Sequence, residues 1–249
     1  MIWQSCSESS VQKADFRRQL RQAFDFTHEK LDCLRTVSSL ESLPADDDFN
    51  RVALNPTATY EEIYRAAVSA SSYNFMLADF SVFQFSWTAT DRWRLAYLPN
   101  PWITGVASNK DLVEEWEALE GLAPHDDEAV AQLVSELPIH SAVPPVRFEI
   151  DCPQYREIAH PAAHLHIGRH TENRWPLSRP LHPFSFALII FKLYYPELWR
   201  PKSTFFDYTG DDCFDLLLID QLQKMPLVHA FSDKERGSFH FHSVPPVDT

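Results

Sequence analysis

Histidine is concentrated in one part of this 249-residue chain. Five of the eleven histidines fall within residues 160–182, and three arginines lie among them. Imidazole accepts and donates protons near neutral pH, and guanidinium forms paired hydrogen bonds with phosphate. This combination predicts a site that binds or cleaves a phosphate ester. The residues of the segment are His160, His164, His166, His170 and His182, with Arg169, Arg174 and Arg179.

Two His-x-His pairs, His164/His166 and His240/His242, occur where alternation of apolar and polar residues predicts β-strands. Side chains two residues apart in a strand share one face and are separated by roughly 6.5–7 Å along it. Each pair therefore predicts two imidazoles that point to the same side of a sheet.

The first hypothesis is metal-independent acid–base cleavage of a phosphodiester, as in a ribonuclease. One imidazole accepts a proton from the attacking hydroxyl, a second donates one to the leaving oxygen, and guanidinium groups hold the phosphate. The expected substrate is RNA or another phosphodiester, and no cofactor is required. The predicted catalytic residues are His164, His166, Arg147, Asp151 and Arg174, with Glu149 as the alternative to Asp151 for orienting an imidazole, and the predicted substrate-binding residues are His160, Arg169, His170 and Trp175.

A second hypothesis is a metal-dependent enzyme, because imidazole and carboxylate groups bind Zn²⁺ and other divalent ions. If the strands that carry the two His-x-His pairs are neighbours, the ligands are His164, His166, His240 and His242. A set of two histidines with Asp151 or Glu149 is the other possible arrangement.

A third hypothesis comes from a different class, a non-catalytic subunit of a complex in which the histidines are structural. Residues 111–137 contain nine acidic side chains and no lysine or arginine, and they contribute most of the net charge of −13. Such a segment predicts a surface that binds a basic protein partner.

The elements that position these residues follow from periodicity. Helical spacing predicts helices over residues 11–37, 60–70, 183–196 and 211–224, with a loop over 39–57 and a capping box formed by Thr59 and Glu62. Alternation predicts one long strand or a hairpin over residues 73–87, and strands over 92–99, 146–152, 162–168 and 238–244. This order indicates an α+β fold with a central, mostly antiparallel sheet, N-terminal helices and a C-terminal helix packed on it.

We expect a single domain over residues 1–249. Its parts are an N-terminal helical region (1–70), a sheet-containing core (71–109 and 145–249) and an acidic helical insertion (110–137). The chain has 45% apolar residues, which is enough for a substantial core.

Composition excludes several classes of function. The chain has five glycines, against about 17 at the usual frequency, and their spacing excludes the glycine-rich loops of nucleotide-binding proteins. The longest apolar stretch, residues 184–191, is shorter than the about 20 residues of a membrane helix. With no basic, apolar leader and no Cys-x-x-Cys pair, we expect a cytoplasmic protein that does not bind membranes.

The order of several motifs resembles a family of bacterial proteins known only as a domain of unknown function. The motifs, within residues 60–200, are a strand ending at Asp151, a His-Pro-x-x-His-Leu-His strand over 160–166, an Arg-x-Pro turn over 174–176, and an apolar helix ending at Tyr195-Pro196. The resemblance implies no established activity. A shorter pattern, an arginine-and-acid strand followed by a His-x-His strand, is similar to toxin-type ribonuclease families. It implies a role in a toxin or antiviral-defence system.

Overall fold

A computed structural model describes residues 11–102, 143–169, 173–204, 212–228 and 231–239. The strands of this part of the chain are β1 (Leu34–Val37), β2 (Phe75–Leu77), β3 (Val82–Ala89), β4 (Arg92–Leu98), β5 (Val146–Asp151), β6 (Ala163–Ile167) and β7 (Trp175–Pro176). Its α-helices are α1 (Lys13–Asp25), α2 (Asp47–Ala53), α3 (Tyr60–Ser69), α4 (Pro183–Tyr194), α5 (Pro196–Trp199), α6 (Phe214–Gln223) and α7 (Asp233–Phe239).

The seven strands form one sheet in which the spatial order is the chain order, β1 to β7. Every neighbouring pair is antiparallel. The predicted α+β fold with an antiparallel sheet is confirmed. Among the helices of the described ranges, none combines the length and the apolar character that a membrane span requires.

The alternation of side chains gives the sheet one apolar face. Phe83, Phe85, Leu95, Tyr97 and Phe148 are fully buried there, and helices α1 and α4 pack on this side. The apolar residues that alternate along β3, β4 and β5 therefore form the main core with the two helices.

Helices α2 and α3 cover one end of the second face. A smaller core joins Ile63 and Tyr64 of α3 to Met76, Val82 and Leu98 of the sheet. In the middle of β4, β5 and β6 this face carries charged and imidazole side chains instead. The fold thus places polar chemistry on the side of the sheet opposite the main core.

Of the two arrangements predicted for residues 73–87, one long strand or a hairpin, the structure has the hairpin, formed by β2 and β3. Helix α3 begins with the predicted capping box, in which the Glu62 amide donates to the Thr59 hydroxyl and the Thr59 amide donates to the Glu62 carboxylate. The apolar helix after Pro183 also forms as predicted, as α4.

Two sequence-based predictions near the N-terminus are wrong. The helix predicted over residues 11–37 stops earlier: a π-helical turn, Phe26–Lys30, follows α1, Asp32 has a φ of +48°, and residues 34–37 form edge strand β1. The loop predicted over 39–57 contains α2, because Asp46 accepts a hydrogen bond from the Phe49 amide at 3.0 Å and begins a helix. Its acidic neighbours interact favourably with the positive end of that helix.

The strand predicted over residues 238–244 is wrong at its start, since Ser238 and Phe239 belong to helix α7. Ser232 and Glu235 form a reciprocal cap at the beginning of this helix. His240 and His242, like the acidic segment 110–137 and His170, lie outside the described residues.

Candidate functional site

The register of the central strands brings the candidate residues together. Glu149 of β5 lies opposite Arg94 of β4 on one side and His164 of β6 on the other. In the neighbouring row, Arg147 lies opposite His166. Because these positions are two residues apart along each strand, all five side chains belong to the same face of the sheet.

Glu149 is at the centre of this group. One carboxylate oxygen, Oε1, forms an ion pair with Arg147 Nε at 2.9 Å. The other oxygen, Oε2, lies 3.7 Å from His164 Nε2 and 3.7 Å from His166 Nε2. A distance of 3.7 Å is too long for a hydrogen bond, so the two imidazoles converge on the carboxylate without bonding to it.

The orientation of the His164 ring follows from its second nitrogen. His164 Nδ1 lies 2.7 Å from the carbonyl oxygen of Pro161. A carbonyl only accepts hydrogen bonds, so Nδ1 carries a hydrogen. This contact directs the other ring nitrogen, Nε2, toward Glu149. The spacing of the His-Pro-x-x-His motif places this carbonyl three residues before the imidazole that it orients.

Both imidazoles are buried, and three of their four ring nitrogens are unsatisfied. His164 is 0% and His166 2% exposed. Within the described part of the chain, His164 Nε2 and both nitrogens of His166 have no hydrogen-bond partner. An unsatisfied buried polar group costs about 1–3 kcal/mol. The arrangement thus matches a site that is completed by a ligand other than the side chains around it.

Electrostatics keep Glu149 ionised. Burial opposes its ionisation, but the two imidazoles and then Arg147 outweigh burial and hold the pKa of Glu149 well below its usual range. Burial lowers the pKa of His166, against the opposing effect of Glu149. At neutral pH the group therefore consists of one carboxylate and, at His166, an uncharged imidazole.

Three other predicted residues lie at the end of this group. The rings of His160 and His164 are 5.0 Å apart, and those of His164 and His166 are 4.8 Å apart, so the imidazoles form a row. Burial, then His164 and Arg174, lower the pKa of His160. Asp151 lies opposite Arg92 and accepts a hydrogen bond from the Gln154 amide at 3.3 Å.

The remaining predicted residues lie apart from the group. Arg169 is exposed and donates to the carbonyl of Pro56 at 2.9 Å. Trp175, which belongs to the predicted Arg-x-Pro turn, instead lies with Pro176 in strand β7 and pairs with Leu165, which faces the main core. His182 stands at the beginning of α4, with its ring 6.3 Å from that of Trp93.

Arg94 is the residue of the group that the site predictions left out. It is half-buried, and burial lowers the pKa of its guanidinium, while Glu149 raises it and Arg147 lowers it further. The available signal was the alternation in RWRLAYLP, which places Arg92 and Arg94 together on the polar face. What the sequence lacked was the pairing of β4 with β5.

Glu149, His164 and His166 are residues that could hold a divalent metal ion. The ligand atoms of Glu149, His164 and His166 all lie within 4.8 Å of one another. A tetrahedral ion with bonds of about 2.0–2.1 Å separates its ligand atoms by about 3.3–3.5 Å. The two nitrogen–oxygen distances of 3.7 Å exceed this spacing by a few tenths of an ångström. The hydrogen bond from His164 to a backbone carbonyl and the ion pair of Glu149 match the contacts that orient metal ligands.

The model of a family described as an uncharacterized conserved protein (DUF2290) matches residues 30–243. The chain therefore belongs to this family, which confirms the expected membership in an uncharacterised family. The matched region contains β4, β5 and β6 and hence the whole group around Glu149. Neither the curated proteins nor the solved structures contain a match to the chain.

Proposed function

We propose that this member of the family is a metal-dependent hydrolase whose ion is bound by Glu149, His164 and His166. The observation that carries the proposal is the convergence of the two buried imidazole Nε2 atoms, both without hydrogen-bond partners among the described residues, on Glu149 Oε2 at 3.7 Å each.

Hydrolysis is the reaction class that three ligands favour. Structural zinc sites have four protein ligands, whereas catalytic sites have three and keep one position for water. A bound ion lowers the pKa of that water and provides hydroxide at neutral pH. In the proposed reaction the water oxygen bonds to the electrophilic centre of an ester, the bond to the leaving oxygen breaks, and the leaving group takes up a proton.

The test is metal content. We expect the purified, refolded protein to take up about one Zn²⁺ or Mn²⁺ per chain in elemental analysis, and to unfold at a higher temperature with the metal. His166→Ala is expected to abolish uptake, and His28→Ala is the matched control because His28 is exposed on the turn after α1. A folded wild-type protein that takes up neither ion would overturn the proposal.

Metal-independent cleavage of RNA or another phosphodiester is the second candidate. The row of three imidazoles favours it, with half-buried His160 at one end and ring separations of 5.0 and 4.8 Å. In this reaction His164 and His166 are the acid and base, and Arg147 and Arg174 bind phosphate. The two candidates differ in one measurement, because only the metal-independent enzyme cleaves RNA in excess chelator. A role in a toxin or antiviral-defence system would accompany either activity.

A further inference from the structure

We infer that the substrate at this site is a phosphate ester, whose phosphoryl oxygens are bound by Arg94 and Arg147. This inference rests on the proposed metal site and adds the chemical class of its substrate. The observations are the charge balance of the polar face and the positions of the two guanidinium groups relative to Glu149.

Among the described residues, the polar side of β4 and β5 carries more positive than negative charge. It holds three arginines (Arg92, Arg94 and Arg147) and two carboxylates (Glu149 and Asp151), whereas the whole chain has a net charge of −13. Within this set, Arg94 and Arg147 stand beside one carboxylate, Glu149. Glu149 is ion-paired to Arg147, and no carboxylate of the described residues lies within ion-pair distance of half-buried Arg94. A cation withdrawn from water requires a counter-charge. A bound metal would add two further positive charges, so the completed site attracts an anion.

The two arginines are placed differently around Glu149, one on the neighbouring strand and one on the same strand. Arg94 is directly opposite Glu149 across the β4–β5 pair, and Arg147 is two residues away on the strand of Glu149 itself. The backbones of adjacent strands are about 4.8 Å apart, and diagonal neighbours about 7–8 Å. Arginine side chains span these distances. An anion bound to the metal between β5 and β6 is therefore within reach of both.

The proposed metal ion, Arg94 and Arg147 are three positive centres, and they favour a phosphate ester over a neutral carboxylic ester as the substrate. A phosphodiester presents two non-bridging oxygens and a leaving oxygen, and charge accumulates on all three during substitution. Water bonds to phosphorus as the bond to the leaving oxygen breaks, and that oxygen is protonated to give an alcohol. The metal and the two guanidinium groups stabilise the charge that develops in this step. A carboxylic ester is neutral, so it has no negative charge with which Arg94 could pair.

The test compares Arg94→Met with Arg51→Met, both loaded with Zn²⁺ to the same measured occupancy. Met retains most of the apolar stem of arginine and removes its charge. Arg51 is the control because it lies exposed on α2 in an ion pair with Asp48. Two properties are measured, the affinity for inorganic phosphate by titration calorimetry, and the kcat/KM for bis(4-nitrophenyl) phosphate and for the neutral ester 4-nitrophenyl acetate.

We expect Arg94→Met to keep its zinc and to bind phosphate at least tenfold more weakly. Its kcat/KM for the phosphodiester should fall by about 10²-fold, which is the usual effect of removing one charge-stabilising donor. The acetate ester is expected to change less than threefold, and Arg51→Met to resemble the wild type. Arg94→Lys is expected to recover part of the phosphate affinity, which separates loss of charge from loss of fold.

The two proposals fail in different ways. If the folded wild-type protein takes up no metal, the proposed function fails first. If zinc is bound but the wild type does not bind phosphate, or Arg94→Met and Arg51→Met bind it equally, the metal site stands and the assignment of a phosphate ester is wrong. Equal losses with the charged and the neutral ester would also overturn the assignment, because they show a general effect on the metal.

Discussion

Replacing His182 by glutamine should make the stability of the fold less sensitive to acid. His182 begins helix α4, where its Nε2 is buried without a hydrogen-bond partner among the described residues. Burial lowers its pKa from 6.5 to about 4, with Asp15 opposing the shift and Arg18 adding to it. A protonated imidazole is further disfavoured there because the beginning of a helix carries positive partial charge.

The sign and size of the effect follow from proton linkage. Between pH 6.5 and about 4 the unfolded chain binds a proton at His182 that the folded chain does not, so the free energy of unfolding decreases as the pH falls. One pKa unit corresponds to 1.36 kcal/mol, so this group destabilises the fold by about 3 kcal/mol across the window. Glutamine does not titrate, so the variant should lack this loss.

The assay is urea unfolding of the wild type and His182→Gln at several pH values between 7 and 4. Taking the difference between the two proteins removes the effects of all other titrating groups. We expect the free energy of unfolding of the wild type to decrease by about 2–3 kcal/mol more than that of His182→Gln as the pH falls from 7 to 4.5. A constant difference over this range would refute the conclusion that His182 is buried and neutral.

Three further changes test other parts of the structure. Asp215→Ala should lower the free energy of unfolding at pH 7 by about 2–4 kcal/mol, because its buried carboxylate accepts from Lys192, Trp199 and Thr204. Burial opposes ionisation, but these donors hold the pKa of Asp215 below its usual value of 3.8, so the contribution should be complete above about pH 4 and decrease progressively as the pH falls below that value. Tyr195→Phe should cost about 1–3 kcal/mol in urea unfolding, because the Tyr195 hydroxyl donates to buried Asp79. Glu235→Gln should increase the hydrogen-exchange rate of the Ile158 amide, which donates to the Glu235 carboxylate, and an unchanged rate would show that this contact does not order the loop before His160.

Much of the central sheet was predictable because β5 and the first half of β4 alternate. VRFEID, and Arg92 to Leu95 of RWRLAYLP, place apolar residues on one face and charged residues on the other, and the structure follows that division. Helix α2 was missed because Asp46–Asp48 resemble a polar loop, although acidic residues are also typical of a helix start. Strand β1 was missed because Leu31 and Leu34 continue the helical spacing of α1 across a backbone turn at Asp32.

The site was predictable in its residue types and only partly in its arrangement. Histidine spacing indicated that His164 and His166 share a face, and that holds. The central position of Glu149 depends on strand register, which sequence patterns specify poorly across a long connection. The role of Pro161 depends on a backbone carbonyl, for which the side-chain sequence carries no direct signal.

The order of the strands has a consequence for how the protein folds. Strands β3 and β4 are joined by Thr90 and Asp91 alone, and β5 and β6 by residues 152–162, so each pair can form early from nearby segments. Pairing β4 with β5 must close residues 99–145, which has a larger entropic cost. Arg94 lies on one side of this junction, and Glu149, His164 and His166 lie on the other. In pulsed hydrogen exchange during refolding we expect protection within each hairpin before protection across β4–β5, so that Glu149, His164 and His166 come together first and Arg94 joins them last.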